Sequence, residues 1–96
     1  MSKQESKEVR LQKRADFVKR LPLHAKAASI MVIEDPDLLD LMSIDSDWNV
    51  RLLIANSEHT AISSLERLAN DSHDAVSEQA IAARERKAKK SAEEKT

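Results

Sequence analysis

The 96-residue chain has no cysteine, no glycine and no tyrosine, and it has only two prolines, one tryptophan and one phenylalanine. Without cysteine, disulfides, thiolate chemistry and cysteine-ligated zinc or iron–sulfur sites are excluded. Without glycine, the tight turns of an all-β fold lack the residue that best tolerates positive φ. Alanine, leucine, glutamate, lysine, arginine and serine dominate, and this composition favours an all-α fold.

Long apolar runs are missing as well. No stretch approaches the roughly 18 apolar residues that indicate a membrane span, and the first residues hold no apolar secretory core. We therefore expect a cytoplasmic protein with no membrane association. The chain also lacks a glycine-rich phosphate loop, a nucleophile elbow and an H-E-x-x-H motif, so we expect neither enzymatic activity nor a cofactor. His24, His59 and His73 show no metal-binding spacing.

The net charge of −1 conceals a segregation of charge along the sequence. Residues 1–26 carry a net charge of +5, residues 27–83 carry −9, and residues 84–96 carry +3. Two interpretations stay open at this point. Either the acidic middle steers a partner electrostatically, or the pattern reflects only charged, solvated helix faces.

Two stretches of the sequence match at an offset of 26 residues. Residues 39–50 and 65–76 carry the same apolar and turn residues in register: Leu39 with Leu65, Met42 with Leu68, Asp45 with Asp71, Ser46 with Ser72, and Val50 with Val76. A fixed period in the twenties is typical of stacked repeats, in which each unit buries its apolar face against the next. We expect the matched apolar residues to be largely buried, together with Leu53.

Apolar spacing and capping residues predict a series of helices. We expect them over residues 5–20, 23–33, 36–43 and 48–56, then from His59 or Thr60 to residue 69, and after Asp71-Ser72. Phe17 widens the apolar stripe of the first helix, and the apolar run at residues 30–33 is interpreted as buried helix rather than strand. Beyond Arg84 the apolar stripe ends, so we expect one or two further turns and then disorder.

The segment from Asp45 to Asp71 resembles the leucine-rich-repeat variant family, a group of HEAT-like helical repeats. The resemblance rests on Val50-Arg51, on Ile54-Ala55-Asn56, on Thr60, and on the run Leu65-Glu-Arg-Leu-Ala69, and it extends over about residues 35–83. It implies a short right-handed stack of short helices. On this basis residues 1–34 are N-terminal capping helices, residues 35–84 form the repeat-like core, and residues 85–96 form a basic, partly disordered tail.

One motif resembles the start of a calcium loop. Residues 45–49 read D-x-D-x-N, but Val50 and Asn56 stand where such a loop needs glycine and glutamate. We interpret Asp45 and Asp47 as helix-capping residues, and we expect no metal site.

The pattern as a whole indicates a non-enzymatic protein–protein interaction module, such as a small adaptor, inhibitor or regulatory subunit. Its partner would be another protein with a basic surface. The candidate partner-binding residues are Asp37, Asp40, Asp47, Trp48 and Arg51. Trp48 is either buried between units or an exposed anchor. Arg51 either pairs with Asp45 or Asp47 or reaches the next unit.

Two further associations are weighed against this hypothesis. A short repeat array exposes its terminal faces, so self-association into a homodimer is one of them. The other is a nucleic-acid-associated accessory role for the basic first helix and the basic C-terminal tail. The acidic middle of the chain would repel phosphate, so we rank nucleic acid below a protein partner.

Overall fold

The fold, a computed structural model that describes residues 5–94, is built from α-helices. They are α1 Lys7–Lys19, α2 Leu23–Val32, α3 Pro36–Met42, α4 Trp48–Asn56, α5 Ile62–Leu68 and α6 Asp74–Glu94. Residues 5–94 contain no strand, and residues 30–32 belong to α2. The all-α prediction is therefore confirmed. None of the helices in this range is long and apolar enough to span a bilayer.

Short polar side chains cap the N-termini of three of the helices. The Oγ of Ser6 accepts from the backbone N–H of Val9 at the start of α1. Asp35 caps α3, whose first residue is Pro36, and Asp47 caps α4. Each side chain satisfies an N–H group that has no partner within its helix. The start signals predicted at Asp35–Asp37 and Asp45–Asp47 thus lie where helices begin.

The start of α5 differs from the prediction. The sequence places it at His59 or Thr60, but α5 begins at Ile62. Thr60 is fully buried, and its hydroxyl donates to the carbonyl oxygen of Ile54 at 2.6 Å. The same carbonyl also accepts from the backbone N–H of Ser57 at 3.1 Å. Thr60 therefore adds a second hydrogen bond at the C-terminal end of α4, where carbonyls lack partners within the helix.

The 26-residue offset seen in the sequence recurs in the helices. α3 and α5 both contain seven residues and begin at residues 36 and 62, while α4 and α6 begin at residues 48 and 74. Three matched apolar pairs are buried: Leu39 with Leu65, Met42 with Leu68, and Val50 with Val76. Each pair of helices therefore presents equivalent side chains to the interior.

The core is a single cluster that runs through all six helices. Its fully buried large side chains are Ile30, Leu38, Leu39, Val50, Ile54, Leu65 and Val76. α4 and α5 both pack on α6, α1 packs on α3, and α2 packs on α4. α1 and α2 thus cover α3 and α4, while α6 packs against both α4 and α5.

Leu53, which was expected to be largely buried, is partly buried and packs against the core. Its neighbour Ile54 is completely buried. On a helix, residues four apart lie on the same face, so Val50 and Ile54 define the inner side of α4. Leu53 lies beside this line, where it borders a surface groove together with Met31 and His59.

One side of α1 and α2 is more exposed than the sequence predicts. Phe17 does not extend the buried stripe of α1, because 66% of its surface is accessible. In α2, Ile30 is buried, but Met31 and Val32 are exposed at 73% and 75%. The sequence predicts that α2 is buried, but only the face that carries Ile30 packs against the core. Met31 and Val32 lie on the other side of the helix.

The last helix is longer than the sequence predicts. It continues to Glu94 rather than ending a turn or two beyond Arg84. Alanine, arginine, glutamate and lysine are all strong helix formers, and Lys87 Nζ donates to the carbonyl oxygen of Glu58 at 2.6 Å. This bond joins α6 to the turn after α4. Residues 95 and 96 of the expected tail lie outside the described residues.

Candidate functional site

Arg51, on α4, joins the turn before α4 to the turn before α6. Its Nε and Nη2 donate to the two carboxylate oxygens of Asp71 at 2.6 and 3.1 Å, and its Nη1 donates to the carbonyl oxygen of Asp45 at 2.7 Å. The side chains of Arg51 and Asp71 are only 16% and 8% exposed. Of the two roles weighed for Arg51, the structure shows the contact with the next unit, and it adds a bond to the backbone of Asp45.

The same contacts set the charge states of the pair. The hydrogen bond from Arg51 lowers the pKa of the Asp71 carboxyl, an effect that burial opposes and the N–H of His73 reinforces. The bond to Asp71 likewise raises the pKa of Arg51. Asp71 is therefore held as a carboxylate. Arg51 uses all three groups of donors inside the protein, so its role here is structural.

Asp40 takes part in a second link between the units. Its Oδ1 accepts from Ser64 Oγ and from Arg67 Nη2, both at 2.6 Å, and Arg67 also contacts Ser43. The hydrogen bond from Ser64 is the main reason why the pKa of Asp40 is lowered; burial opposes it and Arg67 adds to it. Asp40 thus joins α3 to α5 through Oδ1, and its side chain is about half exposed.

Asp37 lies on the side of α3 that faces α1. Its Oδ2 accepts from Lys7 Nζ at 2.5 Å, and both side chains are more than half exposed. The hydrogen bond to Asp37 is the main reason why the pKa of Lys7 is raised. An exposed pair of this kind contributes little to stability, but it neutralises Asp37 at the surface.

Trp48 is exposed rather than buried between units. Its indole is 39% accessible and stacks on the imidazole of His73, with ring centroids 3.9 Å apart and an interplanar angle of 13°. The prediction of a buried tryptophan is wrong, because Trp48 is the first residue of α4 and lies above the apolar face that starts at Val50. The alternative, an exposed aromatic, is the one observed.

Capping hydrogen bonds position the two turns that carry the stacked rings of Trp48 and His73. Asp47 Oδ1 accepts from the N–H of Asn49 at 2.9 Å and thereby begins α4. At the equivalent position 26 residues later, His73 Nδ1 accepts from the N–H of Ala75 at 3.3 Å. Asp45 and Asp71 accept from the N–H of the residue two positions on, at 2.8 and 2.9 Å. The turns before α4 and α6 therefore share the same pattern of hydrogen bonds, and each turn carries one of the two stacked rings.

The structure brings together only part of the predicted site. Asp47 and Trp48 lie at the start of α4, and His73 and Asp74 lie at the start of α6; we call these four residues the Trp48 platform. Arg51 supports the same two turns, whereas Asp37 and Asp40 pair elsewhere. Sequence reasoning treated His73 only as a turn residue. The 26-residue register, which aligns His73 with Asp47, is the signal that could have identified its capping position.

The carboxylates of these turns act as caps in the structure. The side-chain oxygens of Asp45 and Asp47 accept from backbone N–H groups within residues 45–49, the segment that resembles a calcium loop. In the part of the chain that the structure describes, no group of three or more histidine, aspartate or glutamate side chains is arranged to hold a metal ion. Likewise, every buried side-chain nitrogen or oxygen described has a hydrogen-bond partner.

Comparison with protein-family models, with curated proteins and with solved structures finds no match to this chain. The argument for function therefore rests on the chain's own residues and their geometry.

Proposed function

We propose that this chain is a non-enzymatic protein-interaction module, built as a short right-handed HEAT-like stack, that binds the basic surface of another protein. The observation that carries the proposal is the exposed Trp48, held in place by its stack on His73. Aromatic side chains that are rigid and exposed lose little conformational freedom on binding, and they are enriched among the residues that dominate interface affinity.

The charge around the Trp48 platform favours a cationic partner. Asp47 precedes Trp48 and Asp74 follows His73, and the whole of residues 27–83 carries a net charge of −9. The face of an indole also attracts cations, with arginine the commonest partner. A lysine- or arginine-bearing surface would therefore find both an aromatic contact and carboxylates at the same site, and electrostatic attraction would speed its association.

Neutralising the platform's two carboxylates tests this function. Asp47→Asn combined with Asp74→Asn removes two charges, while asparagine keeps the capping oxygen at position 47. The control, Glu8→Gln with Glu85→Gln, removes two exposed charges, and residue 85 is eleven residues, or about 16 Å, further along α6. Capture of partners from the native host should fall several-fold for the platform variant at low salt. Equal capture by both variants would contradict the proposal.

A nucleic-acid-associated role remains the second candidate, because one half of α6 is strongly basic. Arg84, Arg86, Lys87, Lys89 and Lys90 lie on a continuous helix with a single acidic residue, Glu85, among them. Binding through phosphates would be tight at low salt and would weaken steeply as salt rises. A gel-shift titration at two salt concentrations separates the two functions. We expect no retardation, and retardation lost in an Arg86→Glu, Lys87→Glu variant would favour nucleic acid.

A further inference from the structure

The apolar surface of this protein is concentrated on its first two helices. Of the nine large apolar side chains that are exposed in residues 5–94, five lie on α1 and α2: Val9, Phe17, Leu23, Met31 and Val32. Phe17 and Val32 line one groove of about 660 Å³, whose floor includes the buried Val18 and Ile33. Scattered apolar residues need no explanation, but a cluster in a concave surface marks an interaction site.

Charges of both signs border this groove. Lys13 and Arg14 on α1 form part of the lining, and Glu34 and Asp35, which follow α2, form another part. Among the side chains described for residues 5–91, Lys13 contacts Glu5, while Arg14 has no carboxylate within salt-bridge distance. The Glu34 carboxylate is 83% exposed, and the basic atom nearest to it is His59 Nε2, at 4.0 Å. The groove therefore offers an available cation and an available anion beside an apolar floor.

We propose that this groove is the contact surface of a homodimer, with a second copy of the chain as its occupant. In a two-fold arrangement the same patch meets itself, so Arg14 of each copy faces Glu34 of the other, and Phe17 of each copy covers the other's Val32. A different protein would need a carboxylate, a cationic side chain and an apolar ridge arranged to complement the groove. A second copy supplies all three by symmetry.

The size of the surface suits a reversible dimer. A standard interface buries about 800 Å² on each partner, which is about one-eighth of the 6671 Å² accessible surface of this chain. α1 alone is about 20 Å long, because each of its 13 residues adds about 1.5 Å. Only two large exposed apolar side chains, Phe17 and Val32, line the groove, so we expect a weak dimer with a dissociation constant on the order of 10 μM. This surface is separate from the Trp48 platform and does not depend on the function proposed for it.

Sedimentation velocity on the whole chain, from about 1 to about 300 μM, brackets the expected dissociation constant and tests the dimer. The wild type should shift from monomer to dimer, and Phe17→Ala should weaken dimerisation at least about tenfold, since it removes the apolar contact. The matched control is Ile44→Ala, which truncates an equally exposed apolar residue in the turn after α3. It should leave dimerisation unchanged. A wild type that stays monomeric throughout would overturn the proposal.

Exchanging the charges of Arg14 and Glu34 tests whether these two residues meet across the dimer interface. Arg14→Glu and Glu34→Arg should each abolish self-association, because each variant places like charges opposite one another in both contacts. An equimolar mixture of the two should form a heterodimer, and the double variant should again form a homodimer. Single variants that dimerise normally, or a mixture that stays monomeric, would overturn the proposal. A monomer that instead binds phospholipid vesicles through Phe17 would do so as well.

Discussion

The contact between Arg51 and Asp71 allows the sharpest test of how the two units are held together. In Arg51→Met the aliphatic stem is kept, but two charge-assisted hydrogen bonds to Asp71 and one to the Asp45 carbonyl are lost. A hydrogen bond to a charged group contributes about 1.5–3 kcal/mol. Water reaches part of this site, so it would replace some of what is lost. We expect the free energy of unfolding to fall by about 2–3 kcal/mol.

The expected loss is large for a chain of this length. For a domain of this size each kcal/mol corresponds to about 4–8 °C in the melting temperature, so Arg51→Met should melt roughly 10–20 °C lower. Arg51→Lys should recover only part of the loss, since a lysine cannot form the bidentate contact. Urea unfolding followed by far-ultraviolet circular dichroism and by the fluorescence of Trp48 measures all three proteins.

A double-mutant cycle shows whether the pair itself is responsible. Asp71→Asn keeps the oxygen that accepts from His73 and removes the charge that Arg51 contacts. The coupling free energy between Arg51→Met and Asp71→Asn should be about 1–2 kcal/mol. The same cycle at the exposed pair of Lys7 and Asp37 should give no resolvable coupling. An Arg51→Met variant that loses less than about half a kcal/mol would refute the reasoning.

Three further predictions follow from buried groups. Leu65→Ala should cost about 2–5 kcal/mol, and Leu53→Ala clearly less, because only Leu65 is fully buried; urea midpoints of similar size would contradict this. Thr60→Val should cost about 0.5–1.5 kcal/mol, since the Ile54 carbonyl loses the Thr60 hydroxyl and keeps only the N–H of Ser57 as a donor. The pKa values of Asp40 and Asp71 are lowered on folding, so the stability they add is present above about pH 4 and is lost as pH falls through the folded values. Urea midpoints should drop in that range, and Asn substitutions at both sites should flatten the drop.

Much of the fold follows from local sequence rules. Missing glycine and strong helix formers predict helices, and the Asp-Pro and Asp-Ser-Asp start signals predict the positions of two helix starts. The 26-residue register predicts which residues of the two units are buried together. The start signals depend on neighbours within a few positions and the register on a match between two stretches of sequence, so the sequence alone is sufficient to apply both.

The features that were not predicted from the sequence depend on contacts between residues that are far apart in the chain. Sequence patterns do not show whether another helix packs on the apolar side of Phe17 and Val32, and among residues 5–94 no helix covers it. Thr60 resembles a helix start, but its hydroxyl is taken by the end of α4. The partner of Trp48 is 25 residues away. Only the path of the chain decides such contacts, so local patterns could name the residue types but not their pairing.

The central claim is that this chain binds a basic protein surface through the Trp48 platform. Site-specific photocrosslinking tests it most directly, with benzoylphenylalanine placed at position 48 in one protein and at the exposed position 85 in another. In extracts of the native host, the probe at position 48 should yield one dominant protein adduct, crosslinked through a lysine- or arginine-rich segment. Adducts at position 85 but none at position 48, or adducts only with nucleic acid, would contradict the claim.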